Sequence, residues 1–278
     1  MLLSAAKARR KILFRKAKLA EEAKRYDHML RFMKEIVEAT DPDKDLSPKE
    51  RCLLGAAFKN FLRVARSSHL SAVAKTRSWL NDFDGPIAAS YLLTSKMEIC
   101  RACAEMVQLI DFRLLPFAVS NESKVFYLTL KGDVSWYMAE VKGALDGMGD
   151  AAIANSAYAE AWGMVTKLDS MNPHRLAFAF SVADYLLNFR HSPAEAFAVV
   201  DRVLNLQEIN SPETSPAVSL LTFEGGLQLT ANLLNLRQRL KNELEIKAAG
   251  VAGPSNLPAG NAAGNPLTIR STSESLPK

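Results

Sequence analysis

The chain reads as helices throughout, with capping and proline signals marking several of the helix boundaries. The pattern predicts helices near 4–24, 27–40, 48–80, 87–115, 122–143, 150–169, 173–190, 193–206 and 216–245. Asp45-Leu-Ser47-Pro48-Lys-Glu50 offers an N-cap serine, a proline at the first helical position and a glutamate three residues past the cap, and Ser192-Pro193-Ala-Glu195 repeats it. Asn172-Pro173 and Ser215-Pro216 open two more helices, while Asp84-Gly85-Pro86 ends one and admits the next. Period-2 alternation is confined to Val125-Phe-Tyr-Leu-Thr-Leu130, whose flanks favour helix. From Gly250 onward the chain is mostly Gly, Pro, Asn, Ala and Ser and holds too little apolar surface to order itself. The pattern therefore predicts an all-α domain over 1–245 and a flexible, disordered C-terminal tail over 246–278.

Composition narrows the class. With 278 residues and 48% hydrophobic content, the chain can bury a sizeable core. No window approaches the roughly 18 apolar residues of a membrane span, and the opening lacks a secretory signal. Three cysteines are no disulfide framework, and the expected location is cytoplasmic. Cys100 and Cys103 form a C-x-x-C inside a helical run and are expected to pack there rather than to do redox or metal chemistry. Residues 1–27 carry nine Lys or Arg against Glu21, Glu22 and Asp27, a net +6 that exceeds the +5 of the whole chain. Such a segment suits a transit peptide, a membrane-surface helix, a nucleic-acid patch or a solvated helix. Its unbroken run into Lys16-Ala-Lys-Leu-Ala-Glu-Glu-Ala-Lys-Arg-Tyr-Asp27 favours the last, with neither nucleic acid nor membrane expected as a partner.

Catalytic constellations are not found. His28, His69, His174 and His191 lie in separate helices or at their ends, without metal-ligand spacing, and no glycine-rich loop follows a strand. The chain is expected to be no enzyme and to need neither metal nor cofactor. Lys59, Arg63 and Arg66, at i, i+4 and i+7, put three cations on one helix face. Spacing alone is compatible with a solvated basic stripe.

Several blocks carry a family resemblance. Ala57-Phe-Lys59-Asn60, Arg66-Ser67-Ser68, Lys124-Val-Phe-Tyr-Leu-Thr-Leu-Lys-Gly-Asp133, Met138-Ala-Glu-Val141, Ala157-Tyr158-Ala-Glu-Ala161 and Pro173-His-Arg175-Leu176 fall in the order found in 14-3-3 proteins. The chain resembles that family over about residues 13 to 236. The resemblance implies nine antiparallel helices around a concave groove, in dimers that bind phosphoserine or phosphothreonine segments of client proteins. Lys59 and Arg66 match the lysine and first arginine of the family's phosphate pocket, and Tyr137 matches its tyrosine. Arginine forks and lysine point charges suit phosphate oxygens.

Departures cluster at the same groove. Trp136 stands where the family has a second arginine, and Ser181 where an asparagine holds the peptide backbone; Asn232 matches a second asparagine. Asp184, Gly225 and Gln228 replace aliphatic positions, Asn188 a glutamate and Leu236 a tryptophan. Arg63, at a family glycine, is placed to supply the missing guanidinium. At the implied dimer interface, Arg25 and Glu98 match a cross-subunit ion pair and Tyr91 an interface tyrosine, with Leu19 and Ala20 as apolar contacts. His28 and Thr94 interrupt a second ion pair. The partner is thus either a second copy or another 14-3-3 chain. In the tail, Arg270-Ser271-Thr272-Ser273 resembles the phosphoserine motif that 14-3-3 proteins read, which makes Ser273 a candidate self-ligand. The alternative is a structural subunit that heterodimerises or binds unphosphorylated partners.

Overall fold

The computed structural model of the chain describes residues 2–41, 43–79, 85–209 and 220–251. Among them it shows nine α-helices and no strand: α1 (Leu2–Glu22), α2 (Tyr26–Glu38), α3 (Pro48–Trp79), α4 (Gly85–Leu109), α5 (Asn121–Lys142), α6 (Met148–Val165), α7 (Pro173–Asn188), α8 (Pro193–Ile209) and α9 (Leu220–Val251). The ambiguous 125–130 segment is helix. The Ser215-Pro216 start signal and the tail beyond Val251, Ser273 included, lie outside the described residues.

Local chemistry sets the boundaries. Ser47 and Glu50 cap α3 reciprocally: the Ser47 N–H and hydroxyl donate to Glu50 Oε2 at 3.0 and 2.5 Å, and the Glu50 N–H donates back to Ser47 Oγ. Asn172 Oδ1 accepts from the His174 N–H at 2.9 Å ahead of Pro173. A capping box the sequence pattern overlooked, Ser120 with Ser123, opens α5. Several helix ends differ from expectation: α6 stops at Val165 rather than 169, α9 runs on to Val251, into the segment expected to be tail, and two others have a visible cause. α1 stops at Glu22 because Lys24 turns to φ 56°, letting the Arg25 N–H reach Ala20 O and the Lys24 N–H reach Glu21 O. α4 stops at Leu109, and Ile110–Leu114 widen into a π turn before a 3-10 turn at Leu115–Phe117, since Pro116 cannot donate to a continuing α-helix.

Burial follows the helical period. On α2, Met29, Leu30, Met33, Ile36 and Val37 form one buried stripe, each such side chain contributing roughly 1.5–3 kcal/mol when fully covered. Two cores result. The first joins α1 to α5 through residues such as Met33, Phe58, Met106 and Tyr127, and the second joins α5 to α9 through Leu128, Tyr158, Phe178 and Leu233. α5 belongs to both, with Tyr127, Leu130 and Val134 facing one and Val125, Leu128 and Trp136 the other. At Gly132 the missing side chain leaves room for α6: a Cβ there would lie 2.4 Å from the Tyr158 ring. Cys103 is buried on α4 and burial pushes its thiol up to about 12; Cys100 is half-buried. Among the described residues no helix is long and apolar enough to cross a membrane.

Outside the cores, Ile12 and Leu19 of α1 and Ile87, Tyr91, Leu93 and Met97 of α4 are more than half exposed. Ala20, expected beside Leu19 at an interface, is instead buried in the first core, because it sits one residue round the helix among positions 13, 17 and 20 that face inward.

Candidate functional site: a charged cleft between three helices

Three helices in separate parts of the chain meet around a cleft of about 560 Å³. α3 contributes Lys59, Arg63 and Arg66, the face predicted from spacing; α5 contributes Asp133, Trp136 and Tyr137; α7 contributes Phe180, Ser181 and Asp184. The α3 set falls at i, i+4 and i+7, the α5 set at i, i+3 and i+4, and the α7 set at i, i+1 and i+4, each on the cleft side of its helix.

The cations differ in what they hold. Lys59 Nζ lies 2.9 Å from Asp133 Oδ2 and donates to Ser181 Oγ at 3.3 Å. Asp133 is buried and also accepts from Ser181 Oγ at 3.1 Å and Tyr158 OH at 2.8 Å. Attraction to Asp133 raises the Lys59 pKa against desolvation, so the ammonium stays charged, and its side chain remains 52% exposed to the cleft. Arg66 makes a two-pronged bond to Glu140, Nε to Oε2 at 2.8 Å and Nη2 to Oε1 at 2.6 Å, and its guanidinium carbon stands 5.7 Å from the centre of the Tyr137 ring. Arg63 is exposed and only its contact to Asn60 Oδ1, at 3.4 Å, ties it down; among the described residues no carboxylate pairs with it.

Tyr137 is half-buried, and burial, with Asp184 and Asp133 nearby, pushes its hydroxyl up to about 12. It is therefore protonated at neutral pH and, among the described residues, makes no hydrogen bond. Trp136 is only 2% exposed: it stacks on Tyr137 at 3.8 Å between ring centres and packs with Tyr185 and Phe189. The indole thus fills the wall behind Tyr137. Asp184 is exposed in the cleft, where burial by the walls raises its carboxyl pKa; Asn188 Nδ2 donates to its Oδ1. Ser181, predicted to meet a peptide backbone, instead spends its hydroxyl within the Lys59–Asp133 network. Asn232 is exposed on α9 outside the cleft lining, and Gly225 and Gln228 fall where side chains lie outside the described residues.

Sequence reasoning missed Asp133 and Glu140, the two carboxylates that hold the cations. Their signal was present: positions 133, 137 and 140 lie on one α5 face with Tyr137. Away from the cleft, Arg25 donates to Asp27 at 3.2 and 3.3 Å within its own chain, while Leu19, Tyr91 and Glu98 are exposed.

A family model described as 14-3-3 protein matches residues 16–217, from the second half of α1 through α8 and across every lining residue of this cleft. The chain belongs to the 14-3-3 family. Among curated relatives, a 14-3-3-like protein of Oenothera elata subsp. hookeri is 32% identical over 228 residues, 81% of this chain and 85% of the relative. 14-3-3-like protein GF14 phi of Arabidopsis thaliana is also 32% identical over 228 residues, 81% of this chain and 82% of its own length. A 14-3-3-like protein of Chlamydomonas reinhardtii is 35% identical over 184 residues, 65% of this chain and 71% of the relative. In this 14-3-3 chain the N-terminal half of α1 precedes the matched region. It is nevertheless anchored, because Arg10 donates both Nε and Nη2 to Glu50 at 2.6 Å, on the residue that caps α3.

Proposed function

We propose that this 14-3-3 protein is a non-enzymatic adaptor that captures a phosphoserine or phosphothreonine segment of a client protein in the α3–α5–α7 cleft. The observation that carries the reading is the convergence of Lys59, Arg63, Arg66 and the protonated Tyr137 hydroxyl on one cavity. Phosphate offers the acceptor oxygens that such donors need. Arg63 takes over the role that Trp136 cannot perform, since an indole in the core presents no cation. Exposed apolar residues on α1 and on α4, Leu19 and Tyr91 among them, with Arg25 and Glu98 also exposed, support dimerisation with a second copy or another 14-3-3 chain. A dimer presents two clefts and so binds bivalently. Its place of work on this reading is the cytoplasm, with no nucleic acid or membrane as partner.

One observation favours a second reading, a structural subunit that binds unphosphorylated partners: Asp133, Glu140 and Asp184 already offset the charge of the three cations. Calorimetric titration with matched phosphorylated and unphosphorylated peptides separates the two. Phosphate-dependent binding is expected, and Arg63→Gly should weaken it by about one to two orders of magnitude, the loss of hydrogen bonds to a charged group. Equal affinity for both peptides would establish the structural reading instead, and an unchanged Arg63→Gly affinity would remove Arg63 from the phosphate site.

A further inference from the structure

We infer that the outer face of α1 is a docking ridge for an acidic protein segment, one rich in Glu or Asp and bound in extended form. Lys7, Lys11, Arg15 and Lys18 stand at i, i+4, i+8 and i+11, which puts them on one stripe of the helix, and all four are exposed. Among the described residues none of the four forms an ion pair, whereas the cations beside them do: Arg9 stands 4.0 Å from Glu35, and Arg10 donates to Glu50 at 2.6 Å. Like charges four residues apart work against a helix, so the stripe does not serve the stability of α1. The helix is held from its other side, by Leu13, Ala17 and Ala20 in the first core and by the Arg10–Glu50 clasp. Three of the four cations precede the region matched to the family and none lines the cleft, so phosphopeptide capture makes no use of them.

Spacing and surroundings select the partner. Four residues of helix rise about 6 Å, and alternate side chains of an extended peptide are about 6.6 Å apart, so successive carboxylates on one side of such a peptide meet successive cations of the stripe. A rigid helix holds those cations in line before the partner arrives, which lowers the cost of binding. A membrane is a poorer fit, because the apolar side of α1 is already spent in the core and has nothing left to lay into lipid. Single-stranded nucleic acid is a poorer fit as well: Phe14, the ring nearest the stripe, is packed on the core with Lys18 Nζ 5.8 Å from its centre, so no base stacks there. Exposed Glu22, four residues past Lys18, closes the stripe at its C-terminal end. Ile12 and Leu19 lie about a quarter-turn round the helix, so a dimer formed through them leaves the ridge open.

The test titrates the full chain with a fluorescent peptide of about ten residues that alternates Glu and Ser, beside the same peptide with Gln for Glu. One variant carries Lys7→Gln, Lys11→Gln, Arg15→Gln and Lys18→Gln, which keep good helix formers and remove the repulsion, so α1 is not put at risk. A second loses the same charge elsewhere on the surface, through Lys49→Gln, Lys167→Gln, Arg190→Gln and Arg239→Gln. The wild type and the second variant should bind the Glu peptide alike, and the first variant at least about tenfold more weakly. Arg63→Gly should leave that affinity unchanged. Equal affinity of the two quadruple variants, or of the Glu and Gln peptides, overturns the ridge, and so does a loss in Arg63→Gly, which would put the peptide in the cleft. If a single-stranded oligonucleotide or phosphatidylserine vesicles of matched charge displace the peptide from the wild type better than unlabelled Glu peptide does, the acidic protein segment is overturned as the partner.

Discussion

The same substitution, glycine to alanine, should act with opposite sign at two helical positions of this protein. In an exposed helix interior the change is favourable by about 0.5–1 kcal/mol, because alanine has less conformational freedom to lose on folding. Gly163, exposed in the last turn of α6 with nothing within 4 Å of a Cβ, comes near that condition, so Gly163→Ala should stabilise by up to about that amount. At Gly132 the added carbon would sit 2.4, 2.6 and 2.7 Å from three Tyr158 ring atoms. The ring cannot swing aside, being packed on Phe178 and Tyr185 with centroids 6.3 and 5.4 Å away and tied through its hydroxyl to Asp133. Overpacking costs about 1–3 kcal/mol, and a displaced hydroxyl leaves a buried carboxylate short of a donor, roughly another 1–3 kcal/mol. Net of the propensity gain, Gly132→Ala should lose about 2–4 kcal/mol. For a domain of this size the midpoint should fall by about 5–15 °C, against a rise of a few degrees for Gly163→Ala. Differential scanning calorimetry of the two variants beside the wild type reads both. A Gly132→Ala protein as stable as the wild type would refute the claim that the α5–α6 approach is fixed by the absence of that one carbon.

Two further outcomes follow from side chains at the edges of the fold. Burial pushes the Glu50 carboxyl up, but hydrogen bonds from Arg10 and Ser47 outweigh it and hold its pKa below the ordinary 4.5, so the stability it lends is present above pH 4.5 and lost as pH falls through the lowered value. Arg10→Ala should therefore cost about 1.5–3 kcal/mol in urea unfolding at pH 7 and progressively less in acid, and a cost independent of pH would contradict the ion-pair account. Tyr91→Glu places a charge among the exposed apolar residues of α4, and sedimentation should show a dimer shifting to monomer; an unchanged mass distribution would locate any interface elsewhere.

Local signals carried much of the fold where a helix start has a side chain that explains it, such as Ser47 with Glu50 or Asn172 before Pro173; α2 and α6 start without a side-chain cap. They failed where the decisive contact was non-local or unusual: Lys24 ends α1 at a positive φ with no glycine to announce it, and the π turn after Leu109 follows from the chain reaching Pro116. The cleft was legible on its cationic side, since Lys59, Arg63 and Arg66 share one helix and spacing alone aligns them. Its acidic side was not, because the pairing of Asp133 with Lys59 and of Glu140 with Arg66 bridges 74 residues, a relation only the packing of α5 on α3 creates.

On the phosphopeptide reading, those two pairings turn ligand capture into an exchange of partners. Arg63 offers an arriving anion a cation without a carboxylate of its own, but at Lys59 and Arg66 the anion must share or displace carboxylates already within 2.9 Å. Few solution ions are released at those two cations, so the salt dependence of occupancy should come mainly from Arg63. Chloride and other monovalent ions gain too little to compete, and the threshold for entry is set by ligands that bring two negative charges and several acceptor oxygens to one point.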